Sequence, residues 1–261
     1  MWGVIAKMPD TFSVSDRERL TVAYHGLIGT QLVPAFVRLR DFLRDEYLPA
    51  SRASVGLSAL PNGAAWYAEL AKRYTTTNLT PDAIHQIGLD EVARITIEFE
   101  KVREQVGFTG DLQAFFKFMN EDARFAFKSD QDVLDTYNTL RGRIEPNIPS
   151  QFALLPRAGF EVKLVEPFRA ASAPAASYQG PSQDGTRPGV FYANAFNLPS
   201  RRTWETESIF LHEAIPGHHF QIALQQELTG LPAFRRFGGE TAYIEGWGLY
   251  AEQLADEMGV Y

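Results

Sequence analysis

The 261-residue chain contains no cysteine. Disulfides and thiolate metal ligands are therefore excluded. The compartment stays open between cytoplasm and periplasm, because cysteine-free proteins occur on both sides of a membrane. Positive charge is also in deficit: 25 Lys and Arg stand against 32 Asp and Glu, a net charge of −7. Nucleic acid is excluded as a partner, since phosphate binding needs a basic footprint. No apolar run reaches the roughly 18 residues of a transmembrane helix, so no membrane-spanning segment is expected. Residues 1–10 lack the basic region and apolar stretch of a signal peptide. What remains is 45% hydrophobic and 22% charged, ordinary for a globular protein and long enough to bury a sizeable core. Histidine is scarce as well, and three of the five fall in one segment.

The first two-thirds of the chain carry helical periodicity. Ser15-x-x-Glu18 forms a capping box opening a helical stretch that Pro34 must bend or break and that Pro49 closes. Thr80-Pro81 is an N-cap with proline at the first helical position. Beyond it Val92, Ile95, Phe99, Val102 and Val106 recur every three or four residues until Gly107, the pattern of a core stripe. Ser129-x-x-Asp132 opens another helix, with Val133, Tyr137, Leu140 and Ile144 on one face. The period then drops to two: Phe160, Val162 and Leu164 alternate with Glu161 and Lys163 as a half-buried strand. Residues 167–188, rich in Pro, Gly, Ser and Ala, form a loop. Residues 190–196 form a second short strand, and Thr203 caps the helix that follows. The expectation is a mainly α fold, with residues 1–150 helical and residues 151–261 supplying short strands and the helices of a metal site, in one continuous domain.

That site rests on His212-Glu213-Ala214-Ile215-Pro216-Gly217-His218-His219. A His-Glu pair with a further His is how zinc hydrolases surround one metal with two imidazoles and a general base. The usual spacing places the second His four residues after the first, and here that position is Pro216. On a regular helix His218 lies roughly 120° from His212, while His219 returns to the same face about 10 Å along the axis. Pro216 and Gly217 make a regular helix untenable, and a bulge there would bring His218 to the second-ligand position. Glu213 would then face a metal-bound water as general base. The competing reading is three histidines capping helix ends around a Pro-Gly kink, and on this segment alone the two stand level. A third ligand favours the metal. Tyr243, Trp247, Tyr250, Leu254 and Met258 mark the apolar stripe of an amphipathic helix, and Glu245 lies off it among Ile244, Gly246 and Trp247. A carboxylate among large apolar residues needs a partner, and a metal is a good one.

These residues resemble a known family, the bacterial domain-of-unknown-function family 885 (DUF885). Its His-Glu-Ala-x-Pro-Gly-His-His-x-Gln pattern is matched by His212 through Gln221. Its Glu-Gly-Trp-Ala-x-Tyr-x-Glu pattern is matched by Glu245 through Glu252, with Gly248 in place of the alanine. Leu79-Thr80-Pro81, Ile87-Gly88-Leu89 and the run from Arg187 to Asn194 match further landmarks, so the resemblance covers most of the chain. It implies a helical gluzincin-like domain with a small β element just before the metal-site helix. The gluzincin peptidases include thermostable carboxypeptidases and dipeptidyl peptidase III, which accommodates one extra residue within the same motif. By this resemblance His212, His218 and Glu245 hold one zinc ion and Glu213 is the general base. His219 is the alternative second ligand, or else a substrate-binding or supporting group. Glu252 would orient a ligating histidine, and Asn194 would bind substrate backbone.

The function expected is thus a zinc-dependent metallopeptidase. A metal-activated water attacks the peptide carbonyl, and Glu213 takes its proton and passes it to the leaving amine. Two rivals are a metal-dependent hydrolase of small amides or esters, and a non-catalytic scaffold that retains the site. Family members are usually longer at both ends, so the chain reads as a fragment expected to bind zinc but to hydrolyse peptides poorly. Substrate, cleavage mode, native metal and oligomeric state are not legible in the sequence.

Overall fold

The computed structural model describes residue 5 and residues 7–261. Residues 1–4 and 6, part of the N-terminal segment in which no signal peptide was expected, lie outside the described residues. The protein is 63% helical with one small sheet, and it divides into two compact units, Met1–Trp66 and Tyr67–Tyr261.

The first unit is dominated by one long helix, α1 (Val14–Tyr47). Its cap is Ser13 rather than Ser15: the Ser13 hydroxyl accepts from Asp16 N at 3.1 Å and donates to the Asp16 carboxylate. Pro34 does not break the helix. The turn before it widens at Ile28–Leu32, where Val33 N–H reaches back five residues to Ile28 O. The wider turn makes room for the proline ring, which would clash with a regular one. A second wide turn, Leu43–Tyr47, precedes Pro49 in the same way. Residues 20–37 carry no Asp, Glu, Lys or Arg, and the apolar stretch of α1 is almost wholly exposed. By length and composition α1 could cross a membrane, contrary to the sequence expectation. Core helices and signal sequences share those two properties, so they assign no location.

The boundary between units falls within α2 (Gly63–Thr75). In the second unit Thr80 caps α3 (Pro81–Gln105) by accepting from Ala83 N, and Gly107 at φ 68° follows its end. The α3 stripe is not core: Val92 and Val106 are 64% and 63% exposed, and no residue of α3 is buried. Periodicity reports what a helix can bury, not what stands opposite it. Here α3 packs mainly along α4 (Leu112–Glu121), with Phe99 edge-on to Phe116 at 5.0 Å.

The core lies further along. Ser129 caps α5 (Asp130–Ile144), whose Val133, Tyr137, Leu140 and Ile144 are all buried as the spacing required. They pack on a three-stranded sheet of order β1-β3-β2, made of β1 (Phe160–Leu164), β2 (Ala176–Gln179) and β3 (Gly189–Ala193). β1 runs parallel to β3 and β2 antiparallel to it. The segment expected to be a loop therefore holds β2, along with a short helical turn at Pro167–Ala170. Four-residue β2 shows no alternation strong enough to separate it from its Pro- and Gly-rich surroundings. Phe191 of β3 sits at the centre, 4.7 Å from the Tyr137 ring and 5.6 Å from Phe210.

Candidate metal centre

Phe210 belongs to α6 (Thr206–Glu213), and the candidate site begins at the end of that helix. Thr203 is not its side-chain cap. A tight turn, Thr203–Glu205, leads in, and the Thr206 hydroxyl donates to Thr203 O at 2.6 Å. The chain leaves helical geometry at Ala214 (φ −108°, ψ −98°), and α7 (His218–Glu227) starts afresh after Gly217. The expected bulge is thus a complete break between two helices. Proline cannot donate to the ladder and its ring opposes the preceding turn. Gly217 then folds back onto α6 so closely that a Cβ there would lie 1.8 Å from His212 O. Trp247 holds the turn from outside, its indole N–H donating to Pro216 O at 2.8 Å.

The break turns His218 back beside His212, ring centroids 4.6 Å apart and nearly perpendicular. α8 (Thr241–Glu257) crosses both helices, and Gln221 of α7 fixes it by donating to Tyr243 O at 3.0 Å. Glu245 Oε2 stands 3.4 Å from His212 Nε2 and 3.7 Å from His218 Nε2. Each of the three residues offers one ligand atom, all within 4.8 Å of one another.

The bulky stripe read from the sequence on α8 is buried only in part: Leu254 is buried, and Trp247 and Met258 pack against the core. Tyr243 and Tyr250 are exposed, whereas Gly248, Ala251, Leu254 and Ala255 are buried. Small residues face inward because the helices approach closely: a Cβ on Gly248 would meet the His212 ring at 2.6 Å. Glu245, Gly248 and Glu252, spaced three and four apart, share that face. The Glu245 side chain is 58% exposed, so desolvation is not what demands a partner for it. Its place in the cluster comes from helical register.

Glu252 engages His212 from behind. Its Oε1 lies 2.8 Å from His212 Nδ1, and its Oε2 accepts from the Ser208 hydroxyl. A carboxylate on Nδ1 leaves the Nε2 lone pair facing the cluster. Glu213 is half-buried, and desolvation raises its pKa above the usual carboxylate value; the neighbouring charge of Glu245 adds to this, while His212 and a hydrogen bond from Tyr178 N–H oppose it. Burial, together with His212, lowers the pKa of His218. Neutral imidazole is the form that ligates metal.

His219 and Asn194 stay outside the cluster. The His219 ring packs on Phe160 at 4.6 Å, and its Nδ1 hydrogen-bonds the Tyr178 hydroxyl at 2.8 Å. Burial pushes its pKa down to about 4. Asn194 is 2% exposed. Its amide donates to the carbonyls of Ala170, Ala173 and Pro174, and its oxygen accepts from Phe196 N. With both ends committed, Asn194 is a loop anchor and is closed to substrate. Two participants escaped the sequence reading. Ser208 had a signal, standing one turn before His212 on the same helix; Tyr178 had none, because β2 was not recognised.

The chain is similar to a solved structure described as "the putative lipoprotein from Colwellia psychrerythraea", with 30% identity and a TM-score of 0.90 over 97% of this chain. It spans 44% of that protein's length. No curated protein matches it. The family model described as "Bacterial protein of unknown function (DUF885)" matches residues 2–261, and the chain belongs to that family.

Proposed function

We propose that this chain carries the metal centre of a zinc-dependent hydrolase, most specifically a peptidase of gluzincin type. The observation that carries this reading is the spacing of three donor atoms beside a desolvated carboxylate. Ligands at about 2.1 Å from a tetrahedral zinc stand about 3.4 Å from one another. The 3.4 and 3.7 Å separations of Glu245 from the two imidazoles match that spacing, and two nitrogens with one carboxylate oxygen are a zinc donor set. His212, His218 and Glu245 would hold the ion, leaving a position for water. Bound there, zinc would acidify that water and polarise a substrate carbonyl.

The chain's own groups supply the rest. Glu213 is poised as a base by its desolvation, and Tyr178 N–H orients its carboxylate. It would take a proton from the water and deliver it to the leaving amine. Glu252 keeps His212 in the tautomer that presents Nε2.

An extended peptide is favoured over a small amide or ester by the position of β2 at the edge of the sheet. Asn194 N donates to Ala175 O directly across the ladder. The alternate residues Ala176 and Tyr178 therefore point their backbone groups away from β3; Tyr178 N–H is taken by Glu213, so pairing there would use the Tyr178 carbonyl and the Ala176 groups. A substrate strand could pair there. The likeness to a protein described as a lipoprotein supports an extracytoplasmic setting.

Zinc content of the purified chain tests the site. His212→Ala and Glu245→Ala should each abolish stoichiometric binding, and Glu213→Gln should keep the metal while losing any hydrolysis of a peptide library. Unchanged zinc in both ligand variants would overturn the reading. Cleavage of esters but not peptides would move it to the small-substrate rival.

A further inference from the structure

We propose that Ser208 is a positioning residue for the metal ligand His212, acting through Glu252; this rests on the metal-centre reading above. Ser208 and His212 stand four residues apart on α6, so their side chains share a face, and that face meets α8 at Glu252. The Glu252 carboxylate bridges them, one oxygen on His212 Nδ1 and the other taking the Ser208 hydroxyl proton in a hydrogen bond. A single bond from imidazole to a carboxylate on a flexible stem leaves both planes free to rotate. The second bond removes that freedom, because it ties the carboxylate to the helix that carries the histidine.

The opposite edge of the ring is confined as well. The His212 Cε1–Nε2 edge lies where a Cβ on Gly248 would have to sit. The Tyr261 hydroxyl donates to Glu252 O at 3.2 Å, fastening the α8 backbone at the bridging residue. The imidazole is thus held at Nδ1 by Glu252, has no room for a side chain beside it at Gly248, and is steadied through the Ser208 bond to Glu252. The hydrogen bond that Ser208 donates goes to Glu252 and not to a candidate ligand atom, so its contribution is orientation.

The test uses the full chain in wild-type, Ser208→Ala and Ser208→Thr forms, titrated with zinc against a chelator and with cobalt followed by its visible absorption. Circular dichroism of the metal-free proteins shows that each is folded. The expected result is about a tenfold loss of zinc affinity in Ser208→Ala, with an altered cobalt spectrum, and recovery of both in Ser208→Thr, which keeps the hydroxyl. A Ser208→Ala protein that matches a metal-binding wild type in affinity and spectrum overturns this role and leaves the metal centre standing. A folded wild type that takes up neither zinc nor cobalt overturns the metal centre and this role with it.

Discussion

Gly217→Ala is the substitution that bears hardest on how the site is built. An alanine Cβ at this position would lie 1.8 Å from His212 O, 2.3 Å from Leu211 O and 2.4 Å from His212 C. A carbon rests against a carbonyl oxygen at roughly 3.3 Å or more, so the start of α7 must retreat by about 1.5 Å. The obstacle is the backbone at the end of α6, which cannot swing aside as a side chain could. Overpacking of this kind costs about 3 kcal/mol, a fall in melting temperature of roughly 6–12 °C for a domain of this size. His218 follows Gly217 directly, so the same retreat carries its imidazole away from His212. Zinc sites tolerate about 0.2 Å in ligand distance, so on the proposed metal centre zinc binding should fall by roughly a hundredfold. The control is Gly246→Ala on α8, where a Cβ meets nothing within 4 Å. There an alanine in mid-helix should stabilise by about 0.5–1 kcal/mol. Thermal melts and a zinc competition titration read both effects. A Gly217→Ala protein that melts with the wild type would show that the chain does not approach α6 closely at the turn before α7.

Two further outcomes follow from groups outside the cluster. Buried His219, with a pKa near 4 when folded against 6.5 in the open chain, binds its proton more readily in the unfolded state. Its neutral form is fully compatible with the fold above pH 6.5, and stability is lost as pH falls from there toward 4, by about 3 kcal/mol in all. Arg141 adds to the depression, whereas Glu145, Glu227 and a hydrogen bond to Ala158 oppose it. Urea midpoints at pH 7, 5 and 4 should drop less steeply in His219→Gln than in the wild type, and parallel slopes would refute this account. Asn194→Ala strands three carbonyls and one N–H in the interior and should cost about 3 kcal/mol without altering zinc affinity. Weakened substrate binding at unchanged stability would instead return Asn194 to the substrate-contacting role expected from the resemblance.

Much was legible before any coordinates. Capping at Thr80 and Ser129, the buried face of α5 and the half-buried β1 all rest on local periodicity and turn chemistry, which short windows of sequence carry faithfully. His212, Glu213, His218, Glu245 and Glu252 do fall together, because the motifs that named them are segments whose own geometry brings them round. Three misreadings share one cause. The stripe on α3, the aromatic face of α8 and the burial of Glu245 were inferred from what each helix could bury. What it does bury depends on its neighbour.

Sequence alone therefore determined a mainly helical chain, the absence of cysteine and a departure from regular helix at Pro216-Gly217, though as a bulge rather than the complete break observed, since each depends on residue type or on backbone terms acting within a few residues. Only the tertiary structure decided which histidine of the pair faces the cluster. It assigned His218 to Glu245 and gave His219 to Tyr178 on a strand the sequence had hidden. The physical reason is that adjacent residues on a helix point about 100° apart, so the doublet must serve two different neighbours. Which neighbour stands on which side is a property of packing and not of the motif.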